Sequence, residues 1–252
     1  MSSYSPINAL TRGLEVLKAI NELGQASVGD IYRLTNLPKP TIVRILETLL
    51  ASGYIAQSAD DDAYWPAAKV LRLSSGFIEA REITRVVAPH IDSFRAKVTW
   101  PSDIAIFNDN EMVIINTSRK PGTLSVNRTV GSRVPLLLTA LGRAYCAFIP
   151  EAARNRIIAS IAKGNYPDSR IARRPKTLED IFRQARRRGY AVSDCENTQT
   201  IRAIGVPILR QGIAVGAFNI MVVSNALSLS KLERAYAGEM VQIGEKVAAA
   251  LS

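Results

Sequence analysis

Lys39, Pro40, Thr41 and Arg44 stand close together in LPKPTIVRILETLLASGYI, residues 37–55, and their types suit the recognition of a polyanion. Ile42, Ile45, Leu46, Leu49 and Leu50 recur at three- and four-residue steps, which predicts a helix with one apolar stripe turned to a core. At about 100° per residue, Arg44 points away from that stripe. Lys39, Pro40 and Thr41 fall in the first turn, where amides lack intrahelical partners and the dipole end attracts anions. An outward arginine can bond a base edge, which specifies sequence, or a phosphate, which fixes register. The expectation is a DNA-reading helix; a solvated face of a protein-interaction module is the alternative.

The elements that must hold this helix are legible upstream and downstream. Leu10, Leu14, Leu17 and Ile20 predict a first amphipathic helix ending near Gly24. Ser27 to Asp30 reads as a cap with an acid three residues on, followed by Val28, Ile31 and Leu34 on one face of a short second helix. Asn36 and Pro38 break it, and Gly53 ends the third. Three helices with a tight turn between the last two make a helix-turn-helix. Tyr54 to Gln57 and Ala63 to Pro66 flank Ser-Ala-Asp-Asp-Asp as a two-stranded wing, whose Asp60, Asp61 and Asp62 would repel phosphate. The candidate DNA contacts are Ser27, Lys39, Pro40, Thr41 and Arg44.

Beyond the wing, Val70, Leu71, Leu73, Phe77 and Ile78 predict a linker helix, and Val86, Val87, Ile91 and Phe94 the opening helix of a second domain. Strands are expected at 104–107, 112–117 and 124–128, with Asn108 to Asn110 as a turn, then helices over 138–162 and 177–188. Strands near 191, 200–209 and 213–223 and a helix over 229–250 complete the chain. Without strand–helix–strand alternation, this is an α+β domain with an antiparallel sheet. The predicted bounds are 1–67 for the winged helix-turn-helix, 68–80 for the linker helix and 81–252 for the second domain.

The chain of 252 residues is long enough for two such domains. Its net charge of +10 does not sit on the DNA reader: residues 1–75 hold seven basic and seven acidic residues, so the whole excess lies beyond them. Eleven basic residues against three acidic ones fall between Arg154 and Arg188, either a solvated surface or a field that draws anions. No apolar run is long enough for a membrane span and the N-terminus lacks a signal peptide's apolar core, so a cytoplasmic protein without membrane contact is expected. Cys146 and Cys195 show no CxxC spacing, and His90 is the one histidine. With no P-loop, G-x-S-x-G or metal-spaced cluster, neither an enzyme nor a cofactor is expected.

The helix-turn-helix, LETLLASGYI, and above all GYAVSDCENTQTIRAIGVPI, Gly189 to Ile208, resemble the IclR family of bacterial transcription regulators. Gly189, Ser193, Glu196, Ala203, Ile204, Gly205 and Ile208 match its long signature; Leu209-Arg210 replaces the usual aromatic-then-Asp/Asn ending. LTRGLEVL, VTWPSD and GSRVPLLLTALG look nearer to the branch with activators of aromatic-acid catabolic operons. The resemblance spans about residues 7–250 and implies an N-terminal winged helix-turn-helix, a dimerising linker helix and a C-terminal GAF-like effector domain.

The resemblance also places the effector-binding residues. The backbone amides fall at Ala140 and Leu141, the Asp-or-Ser position is Ser193, the small position is Ala203, and two positions that carry serines in a small-acid-binding relative are Asn219 and Met221. Ala203 and Met221 make this pocket more apolar, which suits an aromatic effector held by helix amides without a dedicated arginine. The implied partners are double-stranded operator DNA, an aromatic acid and a second copy of the chain, as a homodimer or dimer of dimers. A small-molecule sensor working through protein contacts is the competing class.

Overall fold

A computed structural model describes residues 4–58, 62–74, 78–119 and 128–251, which divide into two compact units, Met1–Ile78 and Glu79–Ser252. The first contains α1 (Asn8–Leu23), α2 (Val28–Thr35), α3 (Lys39–Ala51), and the wing strands β1 (Ile55–Gln57) and β2 (Tyr64–Pro66). Val16, Ala19, Ile20, Ile31, Ile42, Leu46, Ile55 and Tyr64 form its core.

Two expectations for this core are corrected. Of the expected stripe on α1, Ile20 is buried and Leu17 packs against the core, but Leu10 and Leu14 are 60% and 59% exposed, and Val16 and Ala19 complete the buried face. Leu34 is likewise exposed, leaving Ile31 as the buried residue of α2. The ends follow local chemistry. Asn36 caps α2 in the left-handed region, and α3 closes in a Schellman motif, with Gly53 N–H donating to Leu50 O at 2.9 Å and Tyr54 N–H to Leu49 O at 3.0 Å. The positive φ of 71° at Gly53 makes glycine the fitting residue there. Ala26 exchanges two 2.9 Å backbone bonds with Tyr64, tying the turn before α2 to the wing. Asp60 and Asp61 of the wing tip lie outside the described residues. The linker is a 3-10 helix over Ala68–Ser74 rather than one α-helix over 68–80; Phe77 is outside the described residues.

In the second unit α4 (Ile78–Arg95) precedes β3 (Asp103–Asn108), β4 (Glu111–Thr117) and β5 (Arg133–Pro135). Then come α5 (Ala140–Ala147), α6 (Glu151–Lys163), α7 (Ser169–Ala172) and α8 (Pro175–Arg188). The chain closes with β6 (Ala191–Asp194), β7 (Ile201–Arg210), β8 (Ile213–Val223), α9 (Leu229–Leu232), a π-helical turn and α10 (Gly238–Ala250). The helix expected over 138–162 is two, because Pro150 caps the start of α6. β5 and α7 are too short to have shown in the sequence pattern, and of the strand expected at 124–128 only Arg128 is described, outside any strand.

The fold is α+β, as expected, with one antiparallel six-stranded sheet in the order β5-β4-β3-β8-β7-β6. Asp109 and Asn110, both at positive φ, make the two-residue turn between β3 and β4. Strand alternation sorts the two faces. Ile204, Val206 and Ile208 of β7 and Phe218, Ile220 and Val222 of β8 pack with α4 and α10. Ala203 and Gly205 of β7, and Ala217, Asn219 and Met221 of β8, occupy the opposite face. No helix among the described residues is long and apolar enough to cross a membrane.

Candidate functional site

The helix-turn-helix presents its candidates mainly through side chains. Ser27 is committed to holding α2: its Oγ accepts from Asp30 N–H at 3.2 Å and donates to Asp30 Oδ2 at 2.6 Å, and its own N–H donates to that oxygen at 2.9 Å. This hydroxyl bond, ahead of the other influences, holds the Asp30 carboxyl below its usual range. At α3, Pro40 has no N–H and Thr41 N–H donates to Pro38 O at 2.8 Å. Of the first-turn amides only that of Lys39 stays outside the helix's own bonding, so the expected amide cradle is smaller than the sequence suggests. Lys39, Pro40 and Arg44 are exposed and Thr41 is half-buried. Among the described residues no ion pair holds Arg44, which is turned away from buried Ile42 and Leu46 as its spacing predicts.

The second unit contains a small, partly open cavity lined by Thr139 and Ala140, Ser193, Asn197, Thr198, Ile201 and Ala203, Asn219 and Met221, and Arg128. Its floor is a row across three strands: Ser193 pairs with Ala203 and Ala203 with Met221. The next row pairs Gly205 with Asn219. Asn219 Oδ1 accepts the Asp103 N–H at 2.8 Å, which leaves its Nδ2 donor for the cavity.

One wall is the start of α5, and small residues let it sit there. A Cβ on Gly205 would lie 2.3 Å from Ala140 O, and one on Gly142 would lie 1.9 Å from Leu136 O. The Thr139 side chain caps the helix by accepting from Gly142 N–H at 3.2 Å, leaving Ala140 and Leu141 as its first two amide donors. Leu141 does not line the cavity; its side chain is buried in the core between the sheet and the helices α5, α6 and α8. Behind this wall, buried Arg143 donates to Glu196 through Nη1 at 2.6 Å and Nη2 at 2.7 Å, to Leu137 O through Nε at 2.8 Å and to Val192 O through Nη1 at 2.9 Å. The pair ties α5 to the end of β6. The signature is thus mostly scaffold: Gly189 ends α8 at φ 77°, Glu196 holds Arg143, and Gly205 admits α5.

Sequence reasoning missed Arg128, Thr139, Asn197, Thr198 and Ile201. Thr139 carries a signal, a threonine just before the helix ALGRAYCA. Asn197 and Thr198 directly follow the signature glutamate. Arg128 carries none, and it corrects the expectation of a pocket without an arginine. Its Nη1 lies 3.5 Å from Met221 Sδ and 4.0 Å from Asp103 Oδ2. Burial lowers its pKa, against the raising influence of Asp103.

The basic stretch on α6 to α8 is partly neutralised from within. Glu179 holds Arg154 at 3.5 Å and Arg186 at 2.5 Å, Asp180 holds Arg183, and Glu233 holds Arg188 at 3.1 Å. Cys146 is buried, which pushes its thiol pKa up and removes it from nucleophilic chemistry.

Residues 9–59 match the IclR helix-turn-helix domain, and residues 76–251 the C-terminal domain of the bacterial transcriptional regulator IclR. The Pca regulon regulatory protein of Pseudomonas putida is 26% identical over 233 residues, 91% of this chain and 79% of that one. The Thermotoga maritima IclR structure superposes with TM-score 0.74 at 23% identity, covering 98% of this chain and 99% of that one. An IclR homologue of Microbacterium hydrocarbonoxydans complexed with 4-hydroxybenzoate superposes with TM-score 0.72 at 18% identity, covering 96% and 98%. With both domains matched, the chain belongs to the IclR family of bacterial transcriptional regulators and carries a DNA-binding helix-turn-helix and an effector-binding domain.

Proposed function

We propose that the protein acts as a dimer, or a dimer of dimers, whose hold on operator DNA is set by an aromatic carboxylic acid in the cavity beside α5. The functional division is a reader over 1–67, a connector over 68–80 and a sensor over 81–252. Lys39, Thr41 and Arg44 contact DNA, with Pro40 shaping the first turn of α3 and Ser27 positioning α2. The observation that carries the sensor reading is the floor of the cavity. Apolar Ala203 and Met221 lie between the Ser193 hydroxyl with the α5 amides on one side and the Asn219 amide on the next row, a surface for a flat ring with polar substituents. The carboxylate accepts from the Ala140 and Leu141 amides and from Ser193, where the helix dipole favours negative charge. The P. putida relative's role in the Pca regulon and the 4-hydroxybenzoate in the Microbacterium homologue support an aromatic ligand.

Calorimetry with phenylpropionates, hydroxybenzoates and cinnamates tests this reading. Saturable heat at one site per chain is expected for at least one class, and its loss in Ala203→Phe, where the new ring fills the floor. Absence of heat from every class, or parent-like binding by Ala203→Phe, contradicts it.

A further inference from the structure

The helix-turn-helix unit has no surplus of positive charge, yet neutralisation of backbone phosphates by cations supplies most of a protein's sequence-independent affinity for duplex DNA. The surplus of this chain is densest where α6 stops, α7 turns and α8 begins. Lys163, Arg170, Arg173, Arg174 and Lys176 are all exposed there. Among the described residues none of the five pairs with a carboxylate, because the acids nearby are engaged elsewhere. Glu179 holds Arg154 and Arg186, and Asp180 holds Arg183. Asp168, the one acid between Lys163 and Lys176, is 1% exposed and accepts the Leu137 N–H at 2.8 Å.

The packing gathers these cations at one end of the unit. Arg173 Nε donates to Ala162 O at 3.0 Å, which holds its guanidinium beside the C-terminus of α6, next to Lys163. α7 packs on both α6 and α8, so Arg170, Arg174 and Lys176 share that end. Exposed Arg156 stands two turns before Lys163 on the same face of α6, about 10 Å along its axis, and lengthens the patch. An anion of one or two charges meets only part of so spread and solvated a surface; a polyanion with closely repeated charges meets all of it. No large apolar side chain is exposed between 151 and 188, which denies a membrane or a protein partner its apolar anchor. We infer that this end of the second unit is a sequence-independent surface for double-stranded DNA, its cations set against backbone phosphates, apart from the operator reading assigned to α3. Which acid fills the cavity beside α5 has no bearing on it.

The test is the salt dependence of binding to a labelled duplex of scrambled sequence, about 40 bp or four helical turns, read by fluorescence anisotropy on the full chain. One variant combines Lys163→Gln, Arg170→Gln, Arg174→Gln and Lys176→Gln. Its slope of log affinity against log salt is expected to shrink by about 2 units or more, since each lost phosphate contact removes about one. A matched variant combines Arg85→Gln, Lys231→Gln, Arg234→Gln and Lys246→Gln, exposed cations on the other side of the sheet, where α4 and α10 pack. It removes the same charge, and its slope should move by less than about 1 unit. An unchanged slope in the first variant, or equal shifts in the two, overturns the inference; equal shifts mean that net charge alone acts. If the first variant does not fold, the pair R170Q and K176Q, against R85Q and K246Q, decides the question with about half the shift. With no operator and no acid present, neither result bears on the effector reading.

Discussion

The reader takes its outward candidates, Lys39, Thr41 and Arg44, from the first turns of one helix, where they lie at or near the surface. The sensor assembles its cavity from β6, β7, β8, the start of α5 and Arg128, most of it buried. A surface site can vary without cost to the fold. A buried site is also the scaffold, because Gly205 and Glu196 that shape it hold two layers of the domain together. Charge follows the same division: the first unit is neutral overall, whereas the second buries Arg143 and pairs it with Glu196.

The widest gap between the two regions is expected for Glu196→Ala. Removing the carboxylate, itself more than a third exposed, leaves the buried Arg143 guanidinium with only the Leu137 and Val192 carbonyls, a loss of about 2–3 kcal/mol seen as early melting of the second unit. Parent-like melting breaks the claim that the signature is scaffold. Gly205→Ala comes next, since its Cβ must displace Ala140 O; overpacking of about 1–3 kcal/mol and a lost effector response are expected together. Arg44→Ala sharpens the contrast from the other side. Operator affinity falls by about 1–3 kcal/mol if Arg44 reads a base edge, with melting unchanged. A stability loss as large as that of Gly205→Ala contradicts the surface assignment.

Ser27→Ala is the smallest effect, about 1 kcal/mol of helix capping, read by thermal melting. It has a pH signature. The folded Asp30 carboxyl titrates lower than in the unfolded chain, so its contribution is full above the ordinary carboxylate pKa and disappears as pH falls through the lower folded value. In Ser27→Ala the main cause of the shift is gone, and this acid dependence should flatten.

Legibility in the sequence followed how local each cause was. Asn36, Gly53, the Ser27 to Asp30 box and the Asp109-Asn110 turn act within a few residues, and the sequence pattern placed them correctly. The outward direction of Arg44 needed only helical period. Which apolar residues of α1 are covered needed the partner helices: the expected stripe holds at Leu17 and Ile20 and fails at Leu10 and Leu14, while Val16 and Ala19 join the core. Pro40 removes one first-turn donor by its residue type, whereas the engagement of the Thr41 and Ile42 amides by the Pro38 carbonyl depends on backbone geometry. The pocket residues Ala140, Ser193, Ala203, Asn219 and Met221 lie far apart in the chain, and only the family resemblance grouped them; the structure does bring those five to one cavity. Arg128 had neither a local pattern nor a place in the signature, since its importance arises from Asp103 and Met221 meeting it in space.

The central claim, that an acid seated on the Ala203 floor controls the reader, is tested most directly by titrating the parent and Ala203→Phe on labelled DNA from the region upstream of the gene. Fluorescence anisotropy is expected to show equal affinity for both proteins without ligand. Addition of the aromatic acid that gives heat with the parent should shift its DNA affinity severalfold, a coupling of about 1–3 kcal/mol, and leave Ala203→Phe unmoved. An identical shift in both proteins, or none in the parent at saturating acid, contradicts the account.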